Sequence, residues 1–242
     1  MNENYLIGVL SSGTWWLIAF VGAFIIGGIA FLLDKFNLYN KSVAFRAFGK
    51  LTVIKSSGMQ GCYQTFPPEK NKDLWKLTSD KLYYLGVSAD SIINEIIEFM
   101  ATDKGKSIKY KFLLMDPANE ENLMKQNAFK LGIDDIDLIA EAQKAELKEA
   151  VKLDKNKITL SVEKLKKTAC FASGNIEIKY SGEPLPWWMY VADDNKIFVG
   201  LMEPGKSGMK SPLIILEKRN DKFTLYQAFE NNWKRIWQSA QK

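Results

Sequence analysis

The sequence predicts a mixed α/β domain preceded by a single transmembrane α-helix. Three observations predict it. Residues Trp15 to Leu33, WWLIAFVGAFIIGGIAFLL, are nineteen residues without a charge. An apolar run, a helical period and a second apolar run follow one another between 82 and 115, the pattern of a βαβ unit. Four short apolar or alternating runs, separated by turn signals, then occupy 175–218.

The uncharged segment comes first in the chain. At 1.5 Å rise per residue it spans roughly 30 Å, the hydrocarbon thickness of a bilayer. Trp15 and Trp16 stand at one end, where an aromatic belt belongs, and Asp34 and Lys35 close the other. The fourteen residues before it hold no Lys or Arg, so it lacks the basic start of a signal peptide. Lys35, Lys41, Arg46 and Lys50 follow closely. The positive-inside rule therefore puts the N-terminus outside and the rest of the chain in the cytoplasm, at the inner membrane. Ala19, Ala23 and Gly27 fall at i, i+4 and i+8, a small-residue stripe that would let two membrane helices approach closely. The expected partners are accordingly the lipid bilayer and either a second copy of the chain or another protein.

The predicted organisation is a short extracytoplasmic N-terminus at 1–14, the transmembrane helix at 15–33, a juxtamembrane segment and linker at 34–78, and a cytoplasmic domain at 79–242. Residues 34–54 mix aromatics with cations and suit the leaflet surface. Residues 56–74, with two glycines and two prolines, read as a loop.

Within the domain, LYYLGV (82–87) is the first strand. A helix from Ser88 to about Ala101 puts Ile92, Ile93, Ile96, Ile97 and Met100 on one face. IKYKFLLM (108–115) is the second strand and ends at Asp116-Pro117. A strand, helix and strand of these lengths imply a parallel pair. Residues 119–171 are mostly helical. Strands follow at 175–180, 187–193, 196–202 and 212–218, with Asp193-Asp194-Asn195 as a tight hairpin turn. A last helix, about 222–240, sets Leu225, Phe229, Trp233, Ile236 and Trp237 on one face.

Composition narrows the chemistry. With 7 Trp, 9 Tyr and 14 Phe the chain has the aromatic content of a folded protein. It contains no histidine, which removes the commonest general base, the Ser-His-Asp and Cys-His arrangements and all His-containing metal sites. Cys62 and Cys170 are two thiols of a reducing compartment, expected to be inert and packed. Only Glu3 precedes Leu33, so 33 basic and 27 acidic residues follow it. That mild excess, +6, fits an anionic leaflet. It is too small and too evenly spread to point to nucleic acid as a direct ligand.

Three segments resemble one half of the phospholipase D-like superfamily. LYYLGVSADSIINEII is similar to that family's first strand and helix, and KYKFLLMDP to its second strand with an acidic exit. WWMYVADDNKIFVG is similar to the hairpin that bears H-x-K-x4-D, followed after six residues by a glycine. In that frame Gly200 matches the glycine and Asp193 the aspartate. Trp188 stands at the lysine position and Pro186 at the histidine position. The resemblance, which covers about 80–240, implies the family's fold. It also implies a degenerate member, because phosphodiester cleavage in the family needs a histidine nucleophile. Members that degenerate in this way serve as ligand-sensing, oligomerising or membrane-associated modules.

The functional expectation is a membrane-anchored, non-catalytic phospholipase D-like module that senses a ligand or partner and oligomerises at the inner membrane face. One alternative is a membrane-disrupting effector of a bacterial defence system, in which the Ala19, Ala23 and Gly27 stripe clusters helices. Another is a metal-dependent enzyme using Asp116, Asp193 and Glu203. No catalytic residue, metal or cofactor is assigned. In open α/β sheets the ligand crevice lies at the carboxyl ends of the strands, where Ser88, Ser91 and Asp116 fall. Trp188 and Asp193 complete the candidate ligand-binding set. Ser88 could instead be a helix N-cap.

GLMEPGKS (200–207) fits the P-loop pattern G-x4-G-K-S letter for letter. A P-loop cradles phosphates because a helix begins at its Lys-Ser pair. Here Gly208 follows and Pro212 opens a strand, so the segment is a hairpin loop.

Overall fold

The computed structural model describes residues 57–64, 69–133, 135–136, 140–202, 210–220 and 224–241. The predicted transmembrane segment with Ala19, Ala23 and Gly27, the juxtamembrane stretch to 54, and Glu203 lie outside these residues. Among the described residues, no helix is long and apolar enough to cross a membrane. All of them belong to one compact unit, 49–242.

A seven-stranded mixed sheet forms its centre. In chain order the elements are β1 (Met59–Tyr63), α1 (Glu69–Leu77), β2 (Lys81–Gly86), α2 (Ile93–Ala101), α3 (Asp103–Lys106), β3 (Lys109–Met115), α4 (Glu120–Leu131), α5 (Glu141–Lys166), α6 (Ala169–Ala172), β4 (Ile176–Ser181), β5 (Trp187–Ala192), β6 (Lys196–Leu201), β7 (Leu213–Glu217) and α7 (Leu225–Ser239). The strand order is β1-β7-β6-β5-β2-β3-β4. β2, β3 and β4 run parallel, in register from Lys81 opposite Lys109 and from Tyr110 opposite Ile176. All other neighbours are antiparallel. The predicted parallel βαβ unit and the C-terminal strands are therefore present.

Side chains alternate across this sheet, so each strand has two assignments. Tyr84, Phe112, Trp188 and Tyr190 stand on one face, where their rings meet at 5.1–6.1 Å. α2, α4 and α5 cover that face. Tyr83 and Lys111 stand on the other, under α7: Tyr83 stacks on Trp233 at 5.5 Å, and Lys111 lies over the Trp237 ring at 4.9 Å. Both faces are covered, so the central strands are buried almost continuously, with Leu82, Leu85, Leu113, Met189 and Val199 at 0–1% exposure.

Three sequence readings change. First, the loop predicted at 56–74 contains β1 and α1. β1, MQGCY, has weak strand propensity and exists as the edge strand because it pairs with β7, a partner some 150 residues away. Second, the helix predicted from Ser88 starts at Ile93. The Tyr84 hydroxyl donates to the Ser88 carbonyl at 2.6 Å and takes the acceptor a helix would give to Ile92. The Ile92 amide donates instead to the Ala89 carbonyl at 3.0 Å, a turn that Ile92 closes without a side-chain cap. Ser88 is thus not an N-cap. Third, on α7 it is Tyr226, fully buried, that joins Trp233 and Ile236 in the core, while Leu225 is exposed. Thr224 caps this helix reciprocally with Gln227, which starts it at Leu225, while Phe229 and Trp237 of the predicted stripe pack on the core as partly buried side chains.

α5 carries a regular seam. Leu147, Val151, Asp154, Ile158, Ser161 and Leu165 are buried at alternating spacings of four and three. Two polar side chains in that seam mark where the helix faces something other than plain core.

Candidate ligand cavity

A cavity of about 350 Å³ lies between the Tyr84 face of the sheet, the β2–α2 turn and the α4–α5 pair. That is at the small end of ligand pockets, which span ~300–1,000 Å³. Its floor is aromatic. Trp188 and Tyr190 meet edge to face at 5.7 Å, and Tyr84 packs on Tyr190 at 5.1 Å. Burial pushes both tyrosine hydroxyls well above the ordinary phenol range, Tyr190 further through nearby Tyr84 and Glu95. They are neutral at any physiological pH and can only offer or accept hydrogen bonds.

Two glycines make this floor possible. Trp188 is the cross-strand partner of Gly200, and a Cβ there would coincide with the Trp188 indole. Gly86 likewise leaves room for the Tyr84 hydroxyl, which folds back to hold the turn at Ser88. The glycine matched to the family motif thus has a local steric reason.

The rim is polar. Ser88, Asp90 and Ser91 come from the β2–α2 turn, Asn127 and Lys130 from α4, and Asp154 and Lys157 from α5. Asp154 is 6% exposed and accepts from Lys130 at 2.6 Å and from Asn127 at 3.1 Å. That pair neutralises itself. Lys157, half-buried, has no ion-pair partner among the described residues and remains the cation of the rim. Among the described residues, the arrangement offers aromatic rings inclined to one another by 46–69°, hydroxyl donors and a cation without an ion-pair partner.

Of the five predicted ligand-binding residues, Ser88, Ser91 and Trp188 line this cavity. Asp116 and Asp193 do not. The Asp116 carboxylate turns onto its own chain and accepts from the Ala118 amide at 2.8 Å. Asp193 lies at the opposite end of the sheet, where its amide donates to the Lys81 carbonyl. From the register, Asp116 is seven residues beyond Lys109, the neighbour of Lys81, or roughly 20 Å along the strands. The two carboxylates cannot share a metal ion. Among the described residues no cluster of three potential metal-ligating Cys, Asp or Glu side chains occurs.

Asp193 is instead a staple. Its carboxylate accepts from the Ser79 amide and hydroxyl and from the amides of Asp80 and Lys81, all at 2.8–2.9 Å. Burial alone would raise its carboxyl, but hydrogen bonds from Lys81, Asp80 and Ser79 outweigh that and hold it below the ordinary aspartate value. Asp193 and Asp194 both adopt φ 52°, the left-handed backbone at the centre of a turn that the Asn195 amide closes onto the Ala192 carbonyl at 3.0 Å.

Trp187 packs edge to face on Phe229 at 5.7 Å. Cys170 is buried and Cys62 half-buried, and burial pushes both thiols up, as expected of inert cysteines. In the P-loop look-alike, Gly200 lies in β6 under Trp188 and 203–209 are outside the described residues.

Sequence reading missed Asn127, Lys130, Asp154 and Lys157. The available signal was the charged Asp154 standing in an apolar three-four repeat. Its energetics are testable. Replacing Lys130 by methionine leaves the buried Asp154 carboxyl without its cation, and should destabilise the fold by ~2–4 kcal/mol, because one half of a buried pair is worse than none. Asp154→Leu completes the apolar seam and leaves only Lys130, whose side chain is 29% exposed and can turn to water, so it should fall within ~1 kcal/mol of wild type. Urea denaturation followed by tryptophan fluorescence distinguishes the two, and equal losses would mean the pair is not desolvated.

No protein-family model matches the sequence, and no curated protein does. Among solved structures, the chain is similar to TrmBL2, an archaeal chromatin protein with a novel mode of DNA binding, with a TM-score of 0.40 and 13% identity over 93% of this chain and 69% of that one. It is also similar to Nuc from Salmonella typhimurium, a phospholipase D family member, with a TM-score of 0.39 and 10% identity over 75% of this chain and 96% of that one. At these levels of similarity neither protein's chemistry carries over to this chain.

Proposed function

We propose that this protein is a non-catalytic, phospholipase D-like sensor that binds a small ligand in the aromatic-floored cavity and is tethered by residues 15–33 to the inner face of a membrane. The single observation that supports ligand binding is the cavity itself, with Trp188 across its floor and Lys157 at its rim without an ion-pair partner among the described residues. The absence of histidine from the sequence supports the non-catalytic part, since no imidazole is available to attack phosphorus. The tether rests on the nineteen uncharged residues and their asymmetric flanks. The chemistry of the walls selects a planar molecule carrying an anionic group: the ring stacks on the aromatic floor and the anion meets Lys157 and the serine hydroxyls.

Fluorescence titration of the full-length chain in detergent with adenosine monophosphate, as a planar anionic probe, tests this. Binding should weaken about tenfold in Lys157→Ala, the loss of one charge-assisted hydrogen bond. It should vanish in Trp188→Ala. Binding indifferent to both substitutions overturns the site, and metal-independent hydrolysis of a phosphodiester by the purified chain overturns the non-catalytic reading.

A further inference from the structure

The buried seam of α5 has a counterpart on the opposite side of the helix. At 100° per residue, Glu146, Glu149, Leu153, Asn156, Leu160, Lys164 and the capping Lys167 fall within about 40° of the direction facing away from Val151. All seven are exposed. Leu153 is 53% and Leu160 54% exposed, the two most exposed large apolar side chains described, and they stand one heptad apart.

Within this stripe the charges are segregated, with Lys157 and Glu163 flanking it about 60° to either side. Glu146 and Glu149 lie towards the N-terminal end, Lys164 and Lys167 towards the C-terminal end. The helix macrodipole favours this sense only within the terminal turns, and both glutamates lie beyond the first turn. Neither glutamate has an ion-pair partner among the described residues, and Lys164 meets only the neutral Asn94 amide oxygen at 3.1 Å. An acidic half, an apolar centre and a basic half on one stripe are complementary to the same stripe reversed.

We infer that this face of α5 docks on α5 of a second copy of the chain, antiparallel, about a two-fold axis between Asn156 and Lys157. In that register Leu153 meets the second copy's Leu160, Glu149 its Lys164 and Glu146 its Lys167, each contact occurring twice. The contact is about 30 Å long and one stripe wide, at the small end of specific interfaces. It would be weak between free chains and gain strength where copies are held together, as tethering in a membrane would do. Leu153 also borders the ligand cavity, so the two sites share one residue, whereas Glu146, Glu149, Asn156, Lys164 and Lys167 do not line it, and the contact is tested without ligand.

Cysteine cross-linking of the full-length chain in detergent tests the register, with the wild-type chain and its two native cysteines as baseline. With a short bis-maleimide, Asn156→Cys should give a covalent dimer, since the two copies of this position straddle the axis. Glu149→Cys should not, because its two copies lie about 22 Å apart along the helices. Adding E146K/E149K or K164E/K167E to the Asn156→Cys chain should each abolish the cross-link, and mixing the two variant chains should restore it as a heterodimer. Absence of the Asn156→Cys cross-link, equal cross-linking at 149, or failure of the mixed pair to recover overturns the inference.

Discussion

Gly200→Ala is expected to destabilise the protein by about 3 kcal/mol, a large effect for one added methyl group. The new Cβ would occupy the place of the Trp188 indole across the β5–β6 pair. Both residues sit in central strands with layers on either side, so neither strand can move away. The indole must leave its rotamer and expose surface that is now 6% accessible. Trp188→Ala by itself should cost ~3–5 kcal/mol through the cavity it leaves. The informative variant is the double one. With the indole gone, alanine at 200 meets no clash and is a better strand residue than glycine, so its added cost should fall below ~0.5 kcal/mol. A coupling of about 2–3 kcal/mol in urea denaturation identifies the indole as the reason for the glycine; additive losses would mean the ring does not lie there.

Asp193→Ala is the second large effect, about 2–4 kcal/mol at pH 7. Four donors lose one acceptor group, and three of them are backbone amides at the start of β2. Asp193→Asn should cost less, ~1–2 kcal/mol, because asparagine tolerates φ 52° but presents one oxygen where the carboxylate presents two. The pH dependence has a definite sign. The folded-state carboxyl is held below its ordinary value, so its stabilisation is fully present above the unfolded pKa near ~3.9 and is lost as pH falls through the lower folded value. The gap between wild type and Asp193→Asn should therefore be constant from pH 7 to about 5 and close below pH 4. A gap that widens on acidification would contradict the hydrogen-bond origin of the shift.

These two residues show what could be recognised in the sequence. Both were picked out by a motif frame, Asp193 as a possible ligand contact and Gly200 as its closing glycine. Their positions in a hairpin were legible because two aspartates between alternating apolar runs are a local signal. Their roles were not, since the acceptor of four donors from 79–81 and the neighbour of an indole are defined by chain segments far away. Ser88 and Ser91 reached the cavity because the carboxyl end of a parallel strand is a topological location, predictable from the order of elements. Asp116, at an equivalent place on β3, satisfied its own turn instead. That outcome depends on a 2.8 Å bond to Ala118, which element order does not specify.

By itself the sequence determined the element types from residue 82 onward, the parallel βαβ core, the β5–β6 hairpin, and the lack of any imidazole chemistry. Periodicity and composition are properties of contiguous residues, so they survive without coordinates. Only the tertiary structure decided that a glycine-rich, weakly β-forming segment becomes the edge strand β1. It also decided that Tyr84 delays the helix after Ser88, and that α5 turns Asp154 inward and two leucines outward. The first and third are fixed by partners distant in the chain, and the second by a side-chain hydrogen bond over four residues that no propensity encodes; the free energy of such contacts exceeds the few tenths of a kcal/mol by which local propensity distinguishes one backbone state from another.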